Sequence, residues 1–307
     1  FCRNMFGLPC SKRNESNPIY EKVKMIPESF DYQRAGSVSE AISLLQQGGE
    51  ETKILAGGHS LIPTMKLRLS TPETLIDIGG IPELKYINDK GDYLAIGAGT
   101  THWVIESSDL VSQKAPALSH AAGQIGDVQV RNRGTIGGVL AHSDPQADYP
   151  GVVLALDATI VVQGSGGERT IPVSDYFTGL WETALGENEI LTEIRIPTDS
   201  ANANSCYLKF PQPASRYPYV GCAVAMSTSG GNCSDVRVGF SGVGECGFRD
   251  SGVEDAIRGQ ALNESSIGAA SGKAAEGRSV LSDVFVSEEY RRAMAQVYAK
   301  RALTQLS

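Results

Sequence analysis

The sequence predicts an α+β fold with three units, the last of which contains an antiparallel sheet. Strands and helices alternate from Met25 to about Ile81, which favours a local parallel sheet. Residues 190–196 alternate apolar and polar side chains, as a half-buried strand does. Two apolar runs, 220–226 and 236–240, are joined through Ser229-Gly230-Gly231-Asn232, a pattern typical of an antiparallel hairpin.

The first predicted unit covers residues 25–82. Apolar positions within residues 39–45 indicate one face of a helix, which Gly48-Gly49 would end. The other elements predicted for this unit are strand 53–56, helix 60–69 and strand 74–78.

The second predicted unit covers residues 83–200 and the third covers 201–307. Strand 93–97 begins the second unit; helices near 101–123, a helix and strand within 152–162, and a hairpin turning at 164–167 follow. A polar segment near residue 200 is typical of a linker. In the third unit, helices follow the hairpin, and Ser287-Glu288-Glu289 indicates the start of the last one.

The composition excludes several classes of partner. With 41% hydrophobic residues, 20% charged residues and 34 glycines, the 307-residue chain is globular and rich in tight turns. The net charge of −8 argues against nucleic acid or an anionic membrane as a partner. No run of about 18 apolar residues exists, so no membrane span is expected. Residues 1–24 are expected to be an N-terminal extension without a secretory signal, and the protein is expected to be cytoplasmic.

A short glycine segment carries the first functional signal. The strand Ile54-Leu55-Ala56 runs into Gly57-Gly58, and Ser60 follows where a helix is predicted to begin. Glycines allow backbone N–H groups to approach an anion closely, and a helix N-terminus presents further donors. The segment therefore predicts a phosphate site, with an ordinary strand-to-helix turn as the alternative.

A second glycine segment supports the same interpretation. Gly137-Gly138 follows Thr135, whose hydroxyl can bind a phosphate or a ribose, and Asp148 can accept hydrogen bonds from ribose hydroxyls. A solvated first turn of the next helix is the alternative for Asp144 and Asp148. One long ligand with a central pyrophosphate would explain both segments.

These segments resemble the FAD-binding medium subunit of the molybdenum hydroxylases, the family of carbon monoxide dehydrogenase and xanthine dehydrogenase. The matching pieces are Ala56–Ser60 with the residues that follow, Thr135–Gly138 with Asp144-Pro145 and Asp148, and Glu189–Pro197. Their order and spacing fit from about Met25 to the C-terminus. The resemblance implies a two-part FAD-binding domain of the vanillyl-alcohol-oxidase-like type, followed by a small α/β C-terminal domain with an antiparallel sheet.

The resemblance also implies the position of the cofactor. FAD would lie extended between the first two units, with Ile125 and Leu191 near the isoalloxazine and Asp148 near the ribose or ribityl hydroxyls. Exchange of Gly57 or Gly137 for a bulky residue is expected to empty the site and leave the fold intact. The implied cofactor-binding residues are Ala56, Gly57, Gly58, His59, Ser60, Leu61, Ile62, Ile125, Thr135, Ile136, Gly137, Gly138, Val139, Asp148 and Leu191.

The implied activity is that of an oxidoreductase subunit. A large partner subunit would hold the molybdenum–pterin centre and a small partner subunit would hold iron–sulfur clusters. This chain would take electrons from those clusters onto FAD and pass them to an external acceptor, in a dimer of heterotrimers. No catalytic side chain is expected here, because the flavin carries the redox chemistry.

The chain departs from the family between Lys209 and Tyr217. Some relatives place a lysine near the flavin ring there, whereas the corresponding position here is Pro or Gln, flanked by Lys209 and Arg216. The group that supports a reduced, anionic flavin is therefore not assigned by the sequence.

Other interpretations remain open at this point. A stand-alone FAD-dependent oxidoreductase of the same broad fold is one, with His59 as its candidate for covalent flavin attachment. A scaffold subunit that has lost the flavin is another, although the intact glycines argue against it. Gly242–Gly247 matches a dinucleotide-binding pattern, but its hairpin context predicts a turn.

The cysteines and histidines predict no metal site. None of the six cysteines forms a C-x-x-C pair, and the four histidines are scattered. The cysteines are expected to be small buried residues or free thiols.

Overall fold

The computed structural model describes residues 25–307, so the predicted extension 1–24 lies outside the described residues. The N-terminal sheet has three parallel strands in the order β1-β3-β2, and Leu75 of β3 pairs with Tyr32 and Lys53. This confirms the predicted parallel arrangement. The elements of this part are β1 (Asp31–Arg34), α1 (Val38–Gly48), β2 (Thr52–Leu55), α2 (Leu61–Lys66) and β3 (Thr74–Asp77).

Local capping explains where the first helix begins and ends. The Ser37 side chain accepts a hydrogen bond from the Glu40 amide at 3.1 Å, and Gly49 follows the helix with a φ of 72°. The prediction of helix 60–69 was too long. The chain leaves α2 after Lys66 and turns at Arg68, whose φ is 61°, with the Leu69 amide donating back to Thr64.

The middle sheet has five antiparallel strands in the order β4-β5-β10-β6-β7. Strand β10 lies at its centre and confirms the predicted alternating strand. A second sheet of two strands, β8 and β9, lies beside it. The elements are β4 (Ile87–Asp89), β5 (Tyr93–Gly97), α3 (His102–Glu106), α4 (Asp109–Lys114), α5 (Pro116–Gln124), α6 (Val128–Arg131), α7 (Ile136–His142), α8 (Tyr149–Ala155), β6 (Thr159–Gly164), β7 (Gly167–Pro172), β8 (Phe177–Gly179), β9 (Glu182–Thr183) and β10 (Ile190–Pro197).

The C-terminal sheet has four antiparallel strands in chain order, which confirms the predicted hairpin. Gly242–Gly247 lies between two of these antiparallel strands, so the turn interpretation is confirmed as well. The elements are α9 (Ser200–Ala203), β11 (Ser205–Pro211), β12 (Pro218–Ser229), β13 (Asn232–Ser241), β14 (Phe248–Arg249), α10 (Ser251–Ile257), α11 (Glu264–Ser271) and α12 (Glu288–Leu306).

The C-terminal sheet packs on both faces. Cys206, Cys222 and Val224 belong to the core shared with α12, whereas Tyr207 and Ala223 belong to the core of the middle sheet and its helices. Because side chains alternate across a strand, β11 and β12 contribute to two cores at once. The C-terminal sheet is therefore packed directly against the helices that follow the second glycine segment.

No helix within residues 25–307 combines the length and the apolar character that a bilayer-crossing helix requires. The four cysteines in this range are free, and three of them, Cys206, Cys222 and Cys233, are buried. This confirms the prediction of buried residues or free thiols for these four, whereas Cys2 and Cys10 lie outside the described residues.

Candidate functional site

A cavity of about 650 Å³ lies where the three sheets and their loops meet. Its wall includes the first glycine segment, the second glycine segment and the turn between β11 and β12, so all three parts of the chain contribute to it. All of the predicted cofactor-binding residues except Ile62 and Ile136 line it, namely Ala56, Gly57, Gly58, His59, Ser60, Leu61, Ile125, Thr135, Gly137, Gly138, Val139, Asp148 and Leu191.

The two exceptions have other roles. Ile136 is fully buried in the core of the middle sheet. Ile62 is the second residue of α2, and its side chain packs over the position that a Gly58 side chain would take. The family resemblance implied that both residues bind the cofactor, but neither lines the cavity.

The first glycine segment has free hydrogen-bond donors. The backbone N–H groups of residues 57–61 donate to no acceptor within residues 25–307. Gly58 has a φ of 73°, a conformation that glycine adopts without strain. The Ser60 side chain makes no capping bond, contrary to the usual role of a serine before a helix. A run of amides without partners beside a cavity is a site for an anion.

The second glycine segment differs, because its amides are already engaged. The Ile136 amide donates to Thr100 O at 3.1 Å, the Gly137 amide to Ala98 O at 2.9 Å, and the Gly138 amide to the Thr135 hydroxyl at 3.1 Å. Thr135 therefore caps α7, and these three amides have no free hydrogen for a phosphate. The Ile136, Gly137 and Gly138 amides therefore contribute no hydrogen bond to the phosphate site that was predicted from the two segments.

Close packing explains two of the glycines. A Cβ atom on Gly57 would overlap with the Arg133 carbonyl oxygen, and one on Gly137 would lie 2.5 Å from the Cβ of Ala98. Gly57 lets the first segment approach the backbone of Arg133 and Gly134. Gly137 lets the second segment approach Ala98 in the loop after β5. The Gly137 amide is thus not available to a phosphate, whereas the Gly57 amide remains free.

Asp148 is buried rather than solvated, so the alternative of an exposed helix turn is wrong for this residue. It is 5% exposed, and its Oδ1 lies 2.8 Å from Lys209 Nζ and 2.7 Å from the Tyr207 hydroxyl. Burial raises the pKa of the Asp148 carboxyl, and the Lys209 charge acts in the opposite direction. One carboxylate oxygen is thus held by the C-terminal sheet.

The charges around the cavity favour an anion. Glu189 is paired with Arg169 at 2.6 Å, and Asp148 is paired with Lys209. Arg216, which lines the cavity with a φ of 63°, forms no ion pair with any described residue. The sequence did not assign the cation that would support a reduced flavin. Of the two candidates, Lys209 is buried in an ion pair, and Arg216 is exposed beside the cavity.

Three histidines lie at the cavity wall. His59 is exposed, and its Nδ1 is 3.0 Å from Gly57 O. His142 packs against Trp181 at 4.8 Å between ring centroids, and burial lowers the pKa of His142. His102 is 1% exposed, and burial lowers its pKa to about 3, so this ring is neutral.

Sequence reasoning missed two aromatic residues of the wall. Trp181 has a φ of 61°, and Tyr217 directly follows the left-handed Arg216. Each residue lies at a turn between two short or bent strands, and each side chain is about half exposed. No periodicity marks such positions; an aromatic residue in a predicted turn is the one signal that could have found them.

Comparison with known proteins decides the family. A sequence model described as the FAD binding domain in molybdopterin dehydrogenase matches residues 28–199. A second, the CO dehydrogenase flavoprotein C-terminal domain, matches residues 205–306. The chain belongs to this family of molybdenum hydroxylase flavoproteins. The suspected family, the fold class and FAD as the cofactor of this chain are thereby confirmed.

Relatives in this flavoprotein family cover nearly the whole chain. The carbon monoxide dehydrogenase medium chain of Hydrogenophaga pseudoflava is 40% identical over 91% of this chain and 97% of the relative. The glyceraldehyde dehydrogenase medium chain of Sulfolobus acidocaldarius is 35% identical over 92% and 100%, respectively. The nicotine 6-hydroxylase medium subunit of Paenarthrobacter nicotinovorans is 36% identical over 89% and 96%.

Solved structures of the family have the same fold. Carbon monoxide dehydrogenase from Hydrogenophaga pseudoflava, in a form lacking the Mo-pyranopterin moiety, matches with a TM-score of 0.88 and 41% identity over 92% of this chain and 98% of that chain. The relatives are medium chains of multi-subunit enzymes, which implies a larger and a smaller partner chain. This flavoprotein is therefore the FAD subunit of a molybdenum hydroxylase complex, an oxidoreductase component.

Proposed function

We propose that FAD occupies the 650 Å³ cavity, with its pyrophosphate at the amides of residues 57–61. Five neighbouring N–H groups without acceptors among the described residues suit a dianionic group. Arg216 adds positive charge at the same cavity. The free amides are the observation that carries this proposal, because a buried or half-buried donor without a partner requires an acceptor from elsewhere.

The other predicted residues would hold the remaining parts of the cofactor. Gly137, Gly138 and Val139 would bring the second segment against the ligand by close packing rather than by donating hydrogen bonds. Asp148 would accept a hydrogen bond from a ribose or ribityl hydroxyl. Ile125 and Leu191 would pack near the isoalloxazine.

The assembly and the electron route are part of the proposal. FAD supplies the redox chemistry when bound, and the polypeptide binds it and controls its exposure to water. Electrons would arrive from iron–sulfur clusters of a small subunit, after substrate oxidation at the molybdopterin centre of a large subunit. They would leave to an external acceptor, within a cytoplasmic dimer of heterotrimers. The domains proposed are 25–82, 83–200 and 201–307, after the extension 1–24.

A steric block of the cavity tests the proposal. Ala141 is an exposed residue of α7 that lines the cavity, so Ala141→Trp fills part of the space without replacing a core side chain. Ala269 is exposed on α11 outside the cavity and provides the matched control, Ala269→Trp. The measurement is titration of the flavin-free full chain with FAD, followed by flavin absorbance.

We expect Ala141→Trp to weaken FAD binding at least tenfold, and Ala269→Trp to bind as the wild type does, with equal unfolding temperatures. Equal affinity of all three proteins would place the cofactor elsewhere. Turnover of a substrate by the chain purified alone would instead support the alternative of a stand-alone flavoenzyme. A wild-type chain that retains no flavin absorbance once unbound FAD has been removed would support the scaffold alternative.

A further inference from the structure

Strand β11 presents two polar residues to the cofactor-binding part of the chain. Tyr207 and Lys209 are two positions apart and therefore lie on the same face of the strand, whereas Cys206 faces the core shared with α12. Tyr207 belongs to the core of the middle sheet and is 2% exposed. Polar groups at this depth are retained only where each has a partner.

Both side chains donate a hydrogen bond to the same oxygen atom of Asp148. The Lys209 ammonium group and the Tyr207 hydroxyl donate to Asp148 Oδ1, at 2.8 Å and 2.7 Å. Lys209 also donates to the carbonyl of Gln124, at 2.8 Å. Gly221, opposite Lys209 on β12, leaves space for the Tyr207 ring, because any Cβ there would overlap with the Tyr207 hydroxyl.

The second oxygen of the Asp148 carboxylate is left available. Oδ2 accepts no hydrogen bond from a described residue, and it is not among the buried polar atoms without a partner. Asp148 lines the cavity, and Oδ2 is the carboxylate oxygen that has no hydrogen-bond partner among the described residues. A carboxylate that accepts two hydrogen bonds at one oxygen has little rotational freedom, so its other oxygen has a defined position.

Lys209 also fixes a second part of the wall. Gln124 is the last residue of α5, and the next two residues, Ile125 and Gly126, line the cavity. The ammonium group therefore connects the start of α8 to the end of α5. Buried ion pairs contribute little net stability compared with apolar residues of similar volume. We therefore infer that the pair of Lys209 and Asp148 serves to fix the conformation of the two segments it connects.

We propose that Lys209 and Tyr207 are positioning residues of the FAD site. By donating hydrogen bonds to Asp148 Oδ1, these two residues of the C-terminal sheet orient Oδ2 to accept a hydrogen bond from a hydroxyl group of the bound cofactor. The inference rests on the proposed function and extends the site to a part of the chain outside the FAD-binding domain. It predicts that loss of these hydrogen bonds to Asp148 weakens the binding of either the ribityl chain or the adenosine ribose of FAD and leaves the binding of the other unaffected.

The test compares three ligands on the flavin-free full chain. Tyr207→Phe removes one hydroxyl and keeps the ring, and Tyr176→Phe is the matched control, because Tyr176 is fully buried and its hydroxyl lies outside the cavity. FAD, FMN and ADP are titrated against the wild type and both variants. FMN carries the ribityl chain without the adenosine ribose, and ADP carries that ribose without the ribityl chain.

We expect Tyr207→Phe to bind FAD about tenfold more weakly, in line with a hydrogen bond to a charged group. The loss should appear with FMN and not ADP if the hydroxyl is ribityl, and with ADP and not FMN if it is ribose. In an Asp148→Asn background, Tyr207→Phe should cause no further loss. Lys209→Met should show the same ligand selectivity as Tyr207→Phe.

Two results would overturn the inference. One is FAD affinity of Tyr207→Phe equal to that of Tyr176→Phe. The other is an equal loss for all three ligands, which a general loosening of the fold would produce. If the wild type bound none of the three ligands, the proposed function itself would fall, and this inference with it.

Discussion

The Asp148 carboxylate and the Lys209 ammonium group lie 2.8 Å apart, with side chains that are 6% and 2% exposed. Asp148 is the N-cap residue of α8 at the wall of the cavity, and Lys209 belongs to the C-terminal sheet. Two separately recognised domains therefore meet in one ion pair beside the cofactor site. The site is a property of the whole chain rather than of its FAD-binding domain alone.

Replacement of Gly57 by alanine should destabilise the protein. The new Cβ would overlap with the backbone carbonyl of Arg133, which cannot move like a side chain, so we expect a loss of roughly 1–3 kcal/mol. Thermal unfolding of the flavin-free chain measures it. Gly166→Ala is the control, because Gly166 faces open space. An unchanged unfolding temperature for Gly57→Ala would restore the original expectation of an intact fold.

His102 should make stability depend on pH. Burial lowers the folded-state pKa of His102 to about 3, from an ordinary value of 6.5. Below pH 6.5 the unfolded chain binds a proton that the folded chain does not, so stability falls as the pH falls. The contribution is roughly 2 kcal/mol between pH 7 and pH 5.

Urea unfolding of wild type and His102→Gln at these two pH values measures that contribution. The variant should lose less stability than the wild type between pH 7 and pH 5. His59→Gln, at an exposed histidine, should follow the wild type. Identical pH dependence in wild type and His102→Gln would contradict the assignment.

Arg216 should strengthen FAD binding through its charge. Its guanidinium forms no ion pair within residues 25–307, and it lines the cavity, so its field acts on a bound anion. Because the residue is exposed, Arg216→Gln should weaken binding by only about two- to fivefold at low salt. The difference should shrink as salt is added, since screening acts on exposed charges.

Titration with FAD at two salt concentrations checks this, with Lys300→Gln on α12 as the control cation outside the cavity. Lys300→Gln should bind FAD as the wild type does at both concentrations. A salt-independent loss in Arg216→Gln would point to a change of loop conformation instead of charge.

Asn202 should stabilise the segment that connects the middle sheet to the C-terminal sheet. The segment near residue 200 was predicted as a linker, yet it contains α9, and Asn202 is fully buried. Its amide group donates to Leu156 O at 3.0 Å and to Pro197 O at 2.7 Å. Asn202→Ala leaves both carbonyls without this donor and should cost about 1–3 kcal/mol of unfolding free energy.

Chemical denaturation of Asn202→Ala tests the prediction beside Asn204→Ala. Asn204 is exposed, and its amide makes a single hydrogen bond to Met226 O, so its loss should matter less. Equal effects of the two substitutions would show that the segment behaves as an ordinary linker.

Local patterns predicted the elements well wherever the chain controls its own geometry. The apolar positions of α1 with Gly49 behind them, and the Ser229–Asn232 turn between β12 and β13, are short-range features. The prediction of helix 60–69 failed because the left-handed turn at Arg68 has no glycine to mark it. In the second glycine segment, residues 136–138 donate to acceptors from the β5–α3 loop and Thr135, and two of those acceptors are remote in sequence.

The fold class, the two glycine segments and the cofactor family could be predicted from the sequence, because periodicity, turn residues and motif spacing are local quantities. Three features became visible in the folded chain alone: which amides stay free, which glycines serve close packing, and the hydrogen bonds from Lys209 and Tyr207 to Asp148. Those outcomes depend on backbone and side-chain atoms that are distant along the chain and adjacent in space. No one-dimensional pattern contains that information.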